Sequence, residues 1–112
     1  MNWIKADSID KINEIKALSG SEKVLIFKFS TKCSISYVVR SLLEREWNEG
    51  EMQMKTYYVD VISNRELSDK IEKEFGVTHE TPQAIILEKS KPVFSASHGK
   101  VIFSELRKYA NW

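Results

Sequence analysis

The chain contains only one cysteine, Cys33, in 112 residues. A single thiol cannot close an internal disulfide or build a thiolate metal site by itself, which excludes a disulfide scaffold and structural zinc. The net charge is only +1, so no electrostatic argument favours a nucleic-acid or membrane-surface partner. No apolar run is long enough to span a bilayer, and polar residues interrupt the segment where a secretory signal would lie. We therefore expect a cytoplasmic protein whose function depends on a local site.

Strand-like and helix-like patterns alternate along the chain, whose length fits one domain over residues 1–112. Helices are predicted from about Ser8 to Leu18, Ser34 to Trp47, Arg65 to Phe75 and Val101 to Tyr109, and strands over Val24–Phe29, Lys55–Val61, Gln83–Glu88 and Pro92–Ala96. This order gives a parallel βαβ half followed by a ββα half. It predicts an α/β, thioredoxin-like fold with a mixed four-stranded sheet flanked by helices, although other small α/β folds share the order.

Cys33 lies where an apolar strand gives way to a helix that begins near Ser34. The unpaired N–H groups and the positive dipole end of a helix N-terminus favour a thiolate over a thiol. A free cysteine is also often an inert buried residue, which is the alternative interpretation. The immediate neighbours are polar and favour a reactive thiol; they include Ser30, Thr31, Lys32, Ser34 and Ser36.

Ser36 follows Cys33 by three residues, where a dithiol oxidoreductase would carry its second, resolving cysteine. A serine can donate a hydrogen bond to a thiolate but cannot form a disulfide, so release of a bound thiol would require an external thiol. Ser36 could instead be merely an exposed serine in the first turn of the helix. Together with Lys32 and Ser34, it is predicted to stabilise the Cys33 thiolate, although a solvated side chain is an alternative role for Lys32.

Thr81 and Pro82 directly precede the predicted strand at Gln83. A proline commonly opens a strand, so an ordinary turn is one interpretation. In a thioredoxin-like fold, a cis-proline at this position would face the cysteine and expose backbone groups that pair with an extended substrate. On that basis Thr81 and Pro82 are predicted to bind substrate. His79 and His98 are interpreted as loop residues without a catalytic role, and Tyr37 could either pack or line a substrate groove.

Three segments together resemble the monothiol bacilliredoxin family of the bacillithiol system: residues 28–36, residues 79–83 and the pair Ser97-His98. The resemblance covers essentially the whole chain. It implies a thioredoxin-like fold, Cys33 as a nucleophile that exchanges with mixed disulfides of bacillithiol, and a substrate-facing Thr81–Pro82 segment. Ser34 stands where the better-known family motif has proline, and Phe29 where it has histidine.

The leading hypothesis is a monothiol thiol–disulfide oxidoreductase that acts through Cys33 without a cofactor or metal. Its partners would be S-thiolated client proteins and a low-molecular-weight thiol resembling bacillithiol. One alternative is a non-catalytic thioredoxin-like module that binds proteins, with Cys33 as a regulatory thiolation site. Another is a dimer that bridges an iron–sulfur cluster through Cys33 and a small thiol.

Overall fold

The structure, a computed structural model, describes residues 1–109 and contains one mixed sheet with helices on both faces. The strands are β1 (Trp3–Lys5), β2 (Val24–Phe29), β3 (Lys55–Asp60), β4 (Gln83–Glu88) and β5 (Lys91–Ser97). The helices are α1 (Lys11–Ser19), α2 (Ser34–Glu46), α3 (Arg65–Phe75) and α4 (Phe103–Leu106), with 3₁₀ turns at His98–Lys100 and Arg107–Tyr109. The predicted thioredoxin-like α/β plan is confirmed, and residues 110–112 of the predicted domain lie outside the described part of the chain.

The sheet has five strands in the order β1-β3-β2-β4-β5, so the predicted number of four was one too few. β1 and β2 flank β3 in parallel, whereas β4 runs antiparallel to β2. The missed strand, β1, is only three residues long, too short for an alternating pattern to show. Its Trp3 ring packs against Phe27 and Tyr58, at centroid distances of 5.7 and 6.1 Å.

All six residues of the central strand β2 are buried, as its apolar run predicts. One face of the sheet packs against α1 and α3 through a cluster that includes Ile26 and Ile71. The opposite face packs against α2 and α4 through a second cluster, which includes Phe27 and Leu43. Lys28 interrupts the apolar run and is nevertheless fully buried.

Two predicted helix bounds needed correction. α1 begins at Lys11 rather than near Ser8, and Asp10 at its N-cap makes no side-chain cap bond. The last helix is a single turn, α4, followed by a 3₁₀ turn. In α2, the apolar residues mark two stripes: Val39 and Leu43 are buried, whereas three others are exposed. The exposed stripe consists of Ile35, Val38 and Leu42.

β5 forms the outer edge of the sheet opposite β1 and is joined to β4 by a two-residue turn. Lys89 and Ser90 both have positive φ, the conformation that tight hairpin turns use. The edge strand begins with the exposed pair Lys91-Pro92, and the β4–β5 register shifts between Ile86 and Leu87. Within residues 1–109, no helix combines the length and apolar character needed to cross a membrane.

Candidate active site around Cys33

Cys33 occupies the N-cap position of α2, at the carboxyl end of β2. Its backbone is extended, with φ −114° and ψ 115°, and its N–H donates to the Ser30 carbonyl at 3.1 Å. The Ser36 N–H in turn donates to the Cys33 carbonyl at 3.1 Å. These bonds hold the half-buried thiol over the first turn of a 13-residue helix.

Hydrogen bonds at the helix N-terminus lower the pKa of the Cys33 thiol below its ordinary value. The largest contribution comes from the Ser36 backbone, followed by the Ser36 hydroxyl, whereas partial burial acts in the opposite direction. The Ile35 N–H adds a smaller contribution. Since these donors stabilise the charged sulfur, the site favours the nucleophilic thiolate.

Ser36 is fully buried, and its Oγ accepts a hydrogen bond from the Ser30 N–H at 3.2 Å. Because that bond engages an oxygen lone pair, the single hydroxyl hydrogen of Ser36 is left for the sulfur. Ser30 is buried too, and its Oγ accepts a bond from the Lys32 N–H at 3.2 Å. The hydroxyl groups of these two serines therefore stabilise the turn that carries Cys33. The alternative of an exposed first-turn serine does not describe Ser36.

Lys32 and Ser34 flank the thiol in sequence, and both are exposed. Within residues 1–109, the contacts that lower the Cys33 pKa come from Ser36 and Ile35. Lys32 contributes its backbone N–H to the turn. A role for the Lys32 and Ser34 side chains in stabilising the thiolate stays a prediction.

The Thr81–Pro82 segment lies at the same end of the sheet as the Cys33 turn. In the antiparallel pairing of β2 and β4, Lys28 near the end of β2 lies opposite Gln83, the first residue of β4. Pro82 directly precedes Gln83 and therefore lies at the end of the sheet where β2 leads into the Cys33 turn. The Thr81–Pro82 peptide bond is cis; Pro82 is buried and Thr81 is partly exposed. The topology thus places this segment and Cys33 at the same end of the sheet, and a role for Thr81 and Pro82 in binding substrate stays a prediction.

Both histidines make hydrogen bonds at or near the Thr81–Pro82 segment. The His98 N–H donates to the Pro82 carbonyl at 2.8 Å, and His98 has a φ of 56°. The His79 ring Nδ1 lies 3.2 Å from Lys28 Nζ and 3.2 Å from Ser68 Oγ. Burial, followed by the nearby Lys28 charge, lowers the pKa of His79.

Sequence reasoning missed Lys28, which it treated only as part of the apolar strand. Lys28 Nζ donates to the Ser68 carbonyl of α3 at 3.2 Å. A lone lysine inside a strand buried on both faces is itself a signal, because a buried charge requires specific partners.

A cleft of about 300 Å³ lies beside the Cys33 turn. Its lining includes Thr31, Tyr37 and Arg40, together with Asp60 at the end of β3. Tyr37 lies on the wall of this cleft and is 48% exposed, and a role in binding substrate stays a prediction. The Arg40 guanidinium lies 5.3 Å from the centroid of the Phe29 ring, within cation–π range.

The fold, with the single cysteine of the chain at the N-cap of α2, defines a thioredoxin-like protein of the one-cysteine type. The family model described as monothiol bacilliredoxin BrxC matches residues 4–106. The chain therefore belongs to the monothiol bacilliredoxin family, and family and fold support a thiol oxidoreductase type of role.

Solved structures agree with this fold. A protein described as having a thioredoxin fold and, provisionally, as an oxidoreductase is 31% identical, with a TM-score of 0.81, over 96% of this chain and 92% of that one. Thioredoxin from Plasmodium falciparum is 18% identical, with a TM-score of 0.74, over 98% of this chain and 100% of that one. Thioredoxin from Trypanosoma brucei brucei is 15% identical, with a TM-score of 0.75, over 96% and 87%.

The described residues 1–109 contain no group of three or more His, Cys, Asp or Glu side chains placed to hold a metal ion.

Proposed function

We propose that this protein is a monothiol oxidoreductase that removes a low-molecular-weight thiol, of the bacillithiol type, from protein mixed disulfides. The observation that carries the proposal is the buried Ser36 beside a thiol of lowered pKa. Ser36 lies three residues after Cys33, where a dithiol oxidoreductase would carry its resolving cysteine. Its hydroxyl can donate to the thiolate and helps to lower the Cys33 pKa, but it cannot form a disulfide.

The chemistry proceeds in two thiol–disulfide exchanges. The Cys33 thiolate attacks the small-thiol sulfur of the mixed disulfide, so a new S–S bond forms and the client leaves as a thiolate. A second small thiol or a dithiol reductase then attacks this new disulfide and releases Cys33 as a thiolate. A sulfur with a lowered pKa is a good leaving group in that second exchange. We place this activity in the cytoplasm, where such thiols keep cysteines reduced.

The direct test incubates the reduced protein with a client that carries bacillithiol in a mixed disulfide. Intact-mass analysis should show the client losing the thiol and Cys33 gaining it, one for one. Cys33→Ser should abolish transfer, whereas the exposed control Ser41→Ala should retain wild-type rates. A client carrying glutathione instead tests which small thiol is preferred. Transfer that persists in Cys33→Ser, or is missing in the wild type, contradicts the proposal.

A non-catalytic protein-binding module is the second candidate, because the exposed apolar stripe of Ile35, Val38 and Leu42 begins two residues after Cys33. Exposed apolar side chains grouped on one helix face can mark a protein contact. This candidate predicts that Cys33→Ser still binds the client proteins captured by the wild type, while no thiol is transferred by either protein.

A further inference from the structure

The loop of residues 76–82, which connects α3 to β4, ends in the predicted substrate-binding residues Thr81 and Pro82. Because this loop has no regular secondary structure, its position depends on individual contacts. Side chains from α3 and β4 bind its backbone at Thr78 and His79. The His79 N–H donates to the Glu72 carboxylate at 2.5 Å, and Gln83 Nε2 donates to the Thr78 carbonyl at 2.8 Å.

The His79 side chain also anchors this loop, because its ring contacts the Lys28 ammonium of β2. Lys28 Nζ lies 3.2 Å from His79 Nδ1 and 3.2 Å from the Ser68 carbonyl. An ammonium group has no lone pair, so Nδ1 must be the acceptor and the neutral ring carries its proton on Nε2. While Lys28 is charged, it is therefore the donor and His79 Nδ1 the acceptor of this hydrogen bond.

Retaining a charge in this place is costly, and the surroundings compensate for only part of the cost. Lys28 is 0% exposed, on the face of the sheet covered by α3. The nearby carboxylates Asp69 and Glu72 favour the ammonium, but burial outweighs them and lowers the Lys28 pKa to about 8. In other proteins, replacing buried charged residues by apolar residues of similar size is often neutral or stabilising. The contacts of Lys28 with the Ser68 carbonyl and the His79 ring thus explain its presence better than a contribution to stability does.

We propose that Lys28 is a positioning residue of the thiol-transfer reaction, which holds the 76–82 loop in its substrate-binding place through the His79 ring. The inference rests on the proposed function. Lys28 lies in the strand that leads to Cys33, and its partner His79 lies three residues before Pro82. One side chain therefore joins the strand before the nucleophile to the loop that would bind the substrate.

The test compares Lys28→Met with an exposed control, Lys91→Met, in steady-state transfer from a bacillithiolated client. Because a displaced loop weakens substrate binding without touching the sulfur, KM should rise about tenfold in Lys28→Met. The kcat and the pH profile of Cys33 alkylation should stay at their wild-type values. Lys91→Met should leave all three quantities unchanged.

The His79 variants separate a positioning role from general destabilisation. His79→Ala removes the acceptor and should raise KM as Lys28→Met does, whereas His79→Asn keeps an acceptor oxygen close to the Nδ1 position and should restore KM to within about twofold of wild type. The double variant Lys28→Met/His79→Ala should be no worse than either single variant, because both break one connection. If Lys28→Met fails to fold, the comparison of His79→Ala with His79→Asn still decides the matter.

Hydrogen exchange distinguishes failure of this inference from failure of the proposed function. In Lys28→Met, amides of the 76–82 loop should exchange about tenfold faster, while those of β2 are unchanged. An unchanged KM together with unchanged loop exchange overturns the inference, and so does a shifted Cys33 alkylation profile. If the wild type transfers no thiol, the proposed function fails, and loop exchange alone decides whether Lys28 positions the loop.

Discussion

At the scale of single residues, the chemistry of Cys33 depends on a serine that does two things at once. Ser36 accepts a hydrogen bond from the Ser30 N–H and contributes to lowering the Cys33 pKa. The first bond supports the turn and the second supports the charge on the sulfur. Activation of the thiol and stability of the turn are therefore coupled through one buried hydroxyl.

Replacement of this hydroxyl in Ser36→Ala should affect both properties. The alkylation profile of Cys33 should move to higher pH, because the variant loses the hydroxyl donor that stabilises the thiolate. The free energy of unfolding should fall by about 1–2 kcal/mol, because the buried Ser30 N–H is left without its acceptor. Iodoacetamide alkylation and urea unfolding measure the two effects.

The matched control for this prediction is Ser41→Ala, an exposed position in the same helix. It should change neither the alkylation profile nor the stability measurably. An unchanged alkylation profile in Ser36→Ala would show that backbone groups alone tune Cys33.

The placement of Cys33 before a helix, and of Pro82 before a strand, could be predicted because both depend on local sequence. The environment of Lys28 could not, because its partners Ser68 and His79 lie 40 and 51 residues away. Whether a lysine in an apolar strand is buried depends on which carbonyl and which ring the fold brings to it. That information is absent from any local pattern.

At the scale of secondary-structure elements, helix ends were harder to predict than helix positions. α1 begins at Lys11, later than its predicted start near Ser8, and α4 ends after one turn. Periodicity placed α2 correctly but did not reveal that part of its apolar surface is exposed. Burial of a second stripe depends on a neighbouring element, which the pattern of one helix does not specify.

α3 ends at Gly76, which adopts a left-handed conformation with φ 69° and opens the 76–82 loop. A built Cβ meets nothing within 4 Å at this position, so substitution is opposed by backbone conformation alone. Gly76→Ala should therefore lower the free energy of unfolding by about 1 kcal/mol. Thermal or urea unfolding measures this loss.

Gly99→Ala is the control, because a Cβ there also meets nothing within 4 Å and Gly99 has no positive φ. Its stability should stay within about 0.5 kcal/mol of the wild type. Equal effects of the two alanines would contradict the assignment of the cost to the left-handed backbone.

At the scale of the whole molecule, two helical layers cover the sheet, and Lys28 is a charge buried between the sheet and one of those layers. Its pKa is lowered from 10.5 to about 8 in the folded protein. Between those values the unfolded chain binds a proton that the folded chain does not, so stability rises with pH across this window. Below the folded pKa both states are protonated and the full cost of the buried charge is present.

This linkage predicts that the wild type gains about 2–3 kcal/mol of unfolding free energy relative to Lys28→Met between about pH 8 and pH 10. The difference between the two proteins is the quantity to measure. His79, whose lowered pKa depends partly on Lys28, is already neutral in this window, so its titration does not enter the comparison. Above about pH 10, the raised pKa of Tyr57 acts in the opposite direction in both proteins. Urea unfolding at a series of pH values gives the curve, and a flat difference would show that Lys28 does not change its charge on unfolding in this window.

The β5 edge has a consequence for behaviour at high concentration. Sheet edges with free N–H and C=O groups can template strands from other molecules and seed aggregation. Here the edge begins with a lysine, whose charge repels a second copy of itself, and with a proline, which has no N–H to donate. The register shift against β4 further disturbs the regular spacing that an incoming strand would need. The opposite edge offers only three residues. Both outer strands of the sheet are thus poor templates for a strand from another molecule, which should keep the protein monodisperse when it is concentrated.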